Sequence, residues 1–172
     1  MIALLGVGSF AIAGGGSKQF RADPLNGYEE NPDISTVATG SFQARLGDDG
    51  TSLRYKLSYS GLEGDVTQAH VHFAKYGVNG GISFWLCGTA ALPGPAGTPA
   101  CPAPGGTVED EITAADVVGP AGQGIEAMNL AEILAAMRAG HAYANVHSTK
   151  WPGGEIRAQI NDRRHGDRGD DD

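Results

Sequence analysis

Between residues 52 and 59 the chain alternates without a break. Leu53, Tyr55, Leu57 and Tyr59 are separated by Ser52, Arg54, Lys56 and Ser58. A period of two is the pattern of a strand with one face in a core and the other in water, whereas a helix repeats its apolar residues at three and four. The composition extends that reading to the whole chain. With 27 glycines and 9 prolines in 172 residues, many short strands joined by turns fit better than a helix bundle.

Other segments repeat the pattern. Strands are expected over residues 18–25, 36–46, 66–73, 82–86, 107–113, 141–147 and 155–160, giving about eight in all. Gly47-Asp48-Asp49-Gly50 and Asn79-Gly80 are the turn signals between neighbours. Residues 88–106 hold five prolines and five glycines and read as a surface loop. One helix is predicted over residues 129–139. Asn129 is its N-cap, Gly140 its stop, and Leu130, Ile133, Leu134 and Met137 its buried stripe. Eight strands with one short helix in a crossover make an all-β, Greek-key sandwich or barrel.

One domain is expected over residues 17–161, with a segment and linker before it (1–16) and a charged, disordered tail after it (162–172). Residues 2–13 are apolar and uncharged, and Ala11-Ile12-Ala13 offers a small-residue cleavage site. The run is too short to span a bilayer and has the length of a signal-peptide core. No basic residue precedes it, which leaves a start upstream, or a core or lipid-facing segment, as alternatives. Export is the expectation, to a secreted, periplasmic or cell-surface location. An oxidising compartment then favours a disulfide between Cys87 and Cys101, against the alternative of two unrelated buried thiols. Such a loop adds about 3 kcal/mol. The net charge of −8 argues against a nucleic-acid partner and against docking on anionic lipid, and no stable membrane insertion is expected.

The chemistry lies in the histidines. Around His70 the apolar residues are Ala69, Val71 and Phe73, so His70 and His72 point away from the core. By the same parity Ala142, Ala144 and Val146 face inward, and His147 points outward with Tyr143 and Asn145. Two imidazoles at i and i+2 are about 6.6 Å apart along a strand, close enough to converge on one ion. A third from another strand makes a candidate metal set of His70, His72 and His147. Neutral imidazoles suit copper or zinc. His141 lies about 20 Å from His147 on an extended strand, so it is excluded from the set, and His165 belongs to the tail. Glu155 is a candidate for orienting His147, or for an ion pair with Arg157 or Arg54. Asn145 shares the His147 face as a candidate supporting residue. Replacing His72 is expected to cost little stability, because it lies off the core. Metal affinity is expected to fall as the pH drops through about 6.5. There is no nucleophile elbow, phosphate loop or dinucleotide fingerprint.

Several motifs together resemble the CHRD domain, named for its occurrence in chordin. They are Ala69-His70-Val71-His72-Phe73, Gly80-Gly81-Ile82 with Leu86-Cys87, and Ile112-Thr113-Ala114-Ala115-Asp116-Val117. The last is Tyr143-Ala144-Asn145-Val146-His147 with Pro152-Gly153-Gly154-Glu155-Ile156-Arg157. The resemblance runs from about Phe20 to Ile160, and Ala158 stands where the family usually has glycine. The family is similar in architecture to the Greek-key sandwich of copper/zinc superoxide dismutase, and the His-Val-His strand resembles that enzyme's copper-ligand strand. By that similarity His70, His72 and His147 form the metal set, with copper the expected metal and zinc the lesser candidate. A bridging histidine and a zinc-loop aspartate cluster are not evident. Three functions follow: an exported copper-binding protein, a non-metal module engaging another extracellular protein, or a copper redox enzyme.

Overall fold

A computed structural model describes residues 17–161. The expected leader and linker (1–16), the tail (162–172) and His165 lie outside the described residues. Eight strands form two antiparallel four-stranded sheets. The strands are β1 (Gln19–Leu25), β2 (Thr39–Leu46), β3 (Ser52–Ser60), β4 (Val66–Phe73), β5 (Gly81–Gly88), β6 (Gly106–Thr113), β7 (Ala142–Ser148) and β8 (Ile156–Gln159). The first sheet runs β1-β2-β3-β6 and the second β5-β4-β7-β8. Consecutive strands therefore cross between sheets twice before β7, which is Greek-key connectivity closing a β-sandwich. The single α-helix, α1 (Leu130–Arg138), sits in the crossover from β6 to β7.

The core forms where the alternation places it. Leu53, Tyr55, Leu57 and Tyr59 of β3 meet Phe42 and Ala44 of β2 on the inner face of the first sheet. Ala69, Val71, Ala144, Val146 and Ile156 supply the inner face of the second. The helix adds Leu130, Ile133, Leu134 and Met137. Asn129 caps it, its side chain accepting from the Glu132 backbone N–H. Cys87 and Cys101 are joined in a disulfide. Asn26 exchanges backbone hydrogen bonds with Arg157, tying the loop after β1 to the last strand of the opposite sheet.

The two outer faces differ. That of the first sheet is exposed and carries Arg54, Lys56, Glu109 and Glu111. That of the second is covered: all seven residues of β7 and all four of β8 are buried. The outward histidines of the sequence reading are thus on the outer face but not in solvent. Loops from the first sheet and from the strand ends lie over them.

Candidate metal centre

Strand β4 is flanked by β5 and β7, so its outer face has neighbours on both sides. Register places Gln68 opposite His147, His70 opposite Asn145 and His72 opposite Tyr143. His147 is therefore the diagonal neighbour of His70, a separation that long side chains bridge. On the other flank the β4–β5 pairing is irregular on both sides of the His70–Val71 pair, which brings Trp85 opposite His70.

The three imidazoles converge. Their ring centroids are 5.3 Å apart for His70–His72, 5.0 Å for His70–His147 and 6.1 Å for His72–His147. One ligating nitrogen from each lies within 4.8 Å of the others. All three residues are buried, at 1%, 8% and 6% exposure for His70, His72 and His147.

Two rings are oriented by backbone carbonyls. His72 Nδ1 lies 3.0 Å from the Gly80 oxygen and His147 Nδ1 3.0 Å from the Pro152 oxygen. A carbonyl only accepts, so each Nδ1 carries the hydrogen and each Nε2 is left as a bare lone pair. Neither Nε2 has a partner among the described residues, nor does either nitrogen of His70. Four buried, unpartnered imidazole nitrogens in one cluster cost about 1–3 kcal/mol each if they bind nothing.

Electrostatics keep the cluster neutral. Burial, and then the repulsion of His147 and His72, push His70 down to about 2. Burial carries His72 to about 4, against the bond to Gly80. Burial also lowers His147.

Aromatic and polar residues form the surround. Trp85 meets His70 edge to face at 4.3 Å, and Tyr143 stacks parallel on His72 at 4.8 Å. The Arg157 guanidinium lies over the Tyr143 ring at 4.2 Å and donates to Asn79 Oδ1 at 2.9 Å. Asn145 Nδ2 donates to Glu30 Oε1 at 2.6 Å and to the Ile156 carbonyl at 3.0 Å. Burial pushes the Glu30 carboxyl up to about 7, opposed by Arg157 and by the Asn145 bond.

Glu155 does not orient His147. It is fully buried, and its Oε1 accepts from Thr36 Oγ1 and from the Glu63 backbone N–H, both at 2.8 Å. The His147 ring is held by Pro152 instead, and neither Arg157 nor Arg54 is an ion-pair partner of Glu155. Glu155 fastens the loop before β2 and the turn after β3 to the second sheet. His141 is exposed, one residue before β7.

The family-profile comparison matches the CHRD domain over residues 22–160. The chain belongs to the CHRD domain family. CHRD domains are typically extracellular modules, and the disulfide agrees with that setting. Neither curated proteins nor solved structures gave a match. In this CHRD domain the sequence reading named Asn145 in the surround but missed Tyr143, Trp85 and Glu30. Tyr143 shares the parity of His147, which was a usable signal. Trp85 follows no clean alternation, because the β4–β5 register shifts beside it. Glu30 lies in a loop whose sequence, Glu29-Glu30-Asn31-Pro32, has no periodicity at all.

Proposed function

We propose that this CHRD domain is an exported protein that binds one copper ion through His70, His72 and His147. One observation carries the reading: three buried imidazoles from two strands turn unpartnered nitrogens toward one another. Their neutrality suits them to act as ligands without first losing a proton. The Gly80 and Pro152 carbonyls select the tautomer that frees Nε2 of His72 and His147, and the Tyr143 and Trp85 rings fix His72 and His70 and keep water out. Copper, when bound, supplies a Lewis-acidic, one-electron centre. Export is supported by the disulfide, by the family and by the apolar start of the chain.

Metal analysis of protein purified without an affinity tag tests this. About one copper per chain is expected for the wild type and for His141→Ala, whose imidazole is exposed. His70→Ala and His147→Ala should each lose stoichiometric binding while keeping the β-sheet circular dichroism. Equal copper content in wild type and a folded His147→Ala protein would refute the site. Burial also revises two expectations. His72→Ala removes a buried ring stacked on Tyr143, so its stability cost is that of a core residue. Copper affinity should hold below pH 6.5, because burial keeps the His72 ring neutral there, and weaken once that ring begins to take up a proton.

A further inference from the structure

The donor set points to an oxidation state. Resting on the copper reading above, we infer that the site is built for monovalent copper and discriminates against Cu(II) and Zn(II). Imidazole accepts all three ions, so ligand type does not decide between them. Charge and ligand number do.

The cluster contains three histidines, and among the described residues no Asp, Glu or Cys joins them. Three neutral ligands leave a bound ion with its full charge. The cost of taking an ion out of water rises with the square of that charge, so a dication costs about four times as much as a monocation in the same buried site. Among the described residues no carboxylate belongs to the cluster to repay the difference. Of the two buried carboxylates, Glu155 turns Oε1 to Thr36 and the Glu63 N–H with Oε2 unpartnered, Glu30 turns Oε1 to Asn145, and neither joins the imidazoles. The charge behind the Tyr143 ring has the wrong sign for a dication. Arg157 is 2% exposed, its hydrogen bonds run to neutral partners, Asn79 Oδ1 and the Val78 carbonyl, and it makes no ion pair within 4.0 Å among the described residues.

Ligand number points the same way. Structural zinc closes with four ligands, a three-histidine zinc site completes itself with a water, and Cu(II) takes a tetragonal set, so both dications need a donor beyond the three imidazoles, which Cu(I) does not. The rings packed against His70 and His72 are those of Trp85, whose indole offers no lone pair to a metal, and Tyr143, whose hydroxyl accepts from the Gly80 backbone N–H.

Competition titrations on the purified protein test the inference. Cu(I) is measured anaerobically against bicinchoninate, and Cu(II) and Zn(II) against chelators of known affinity. Cu(I) should bind at least 100-fold more tightly than either dication. For the copper pair, 100-fold raises the one-electron potential about 120 mV above the aqueous couple. Trp85→Glu, which places a carboxylate beside His70, should narrow the preference at least tenfold, and Trp85→Phe should preserve it. Cu(II) or Zn(II) affinity equal to that of Cu(I), or a Trp85→Glu protein with unchanged preference, overturns the monovalent assignment and leaves the metal site standing. Failure to bind any of the three ions overturns the metal reading itself, and this inference with it.

Discussion

The outer faces of the two sheets start from the same rule and end in different environments. On β3 and β6 the outward residues are Arg54, Lys56, Glu109 and Glu111, paired across the strands as Arg54–Glu111 at 3.7 Å and Lys56–Glu109 at 2.9 Å, all in contact with water. On β4, β7 and β8 the outward residues His70, His72, Tyr143, Asn145, His147, Arg157 and Gln159 are all buried, and only Gln68 near the start of β4 is partly exposed. The first face is held by long, flexible side chains in high dielectric, where an ion pair contributes little. The second is a network in which each polar atom needs an assigned partner, and of the six buried side-chain atoms that lack one, four are the imidazole nitrogens, beside Ser83 Oγ and Glu155 Oε2. Alternation tells which side of a sheet a residue takes. It does not tell whether that side is wet.

The contrast is sharpest for one residue type placed on both sheets. Arg157→Met removes a buried cation that stacks on Tyr143 and binds Asn79, and should cost about 2–3 kcal/mol in urea unfolding through the lost cation–π contact and charged hydrogen bond. Arg54→Met, on the exposed face, should change stability by no more than about 0.5 kcal/mol. Equal costs would break the comparison. Glycines give the next effect. A Cβ on Gly154 would sit 2.8 Å from Asn145 Nδ2 and from both Glu30 oxygens, at a φ of +130°. Gly154→Ala should therefore cost about 2 kcal/mol or more. Gly50, with a φ of +74° and nothing within 4 Å of its would-be Cβ, should cost about 1 kcal/mol on the same change.

Acid gives a smaller effect, with opposing signs. His70 and His72 titrate below their unfolded value near 6.5, so the unfolded metal-free chain takes up protons first and stability falls as the pH drops below 6.5. Glu30 titrates above its unfolded value, so its carboxyl favours the folded state increasingly as the pH drops from 7 toward 4.5. Two histidines outweigh one carboxyl. The net loss between pH 7 and 5.5 should be about 1 kcal/mol in apoprotein unfolding curves, with His147 adding to it in the same direction. Glu30→Gln should steepen that loss. The smallest effect is expected for Lys56→Ala, which removes an exposed pair and should move the urea midpoint by less than about 0.5 kcal/mol equivalent.

Much of the architecture was legible in the chain because it depends on local periodicity. Residues 52–59 and the Leu130–Met137 stripe announce a half-buried strand and a helix on a core, and both are present. The placement of His70, His72 and His147 on one face was equally legible, since parity within a strand needs no knowledge of the partner. Their burial was not. Loop residues reach this face from outside the strands, Gly80 to His72, Pro152 to His147 and, from far earlier in the chain, Glu30 to Asn145 and Thr36 to Glu155, and strand parity encodes none of these contacts. Glu155 shows the same limit in reverse: its strand position suggested His147, but Thr36 and the Glu63 N–H reach its carboxylate from outside the sheet.

The two-strand origin of the histidines also sets when the cluster comes into being. His70 and His72 emerge from the ribosome together, but His147 follows 75 residues after His72 (147 − 72) and the helix α1 lies between them. Until β7 has docked beside β4, the chain holds a pair of imidazoles and a distant third. Pairings this far apart in sequence form late, because the loop-closure entropy must be met before the contact returns anything. Any ion that needs all three nitrogens therefore ignores nascent and half-folded chains, and its uptake counts finished molecules.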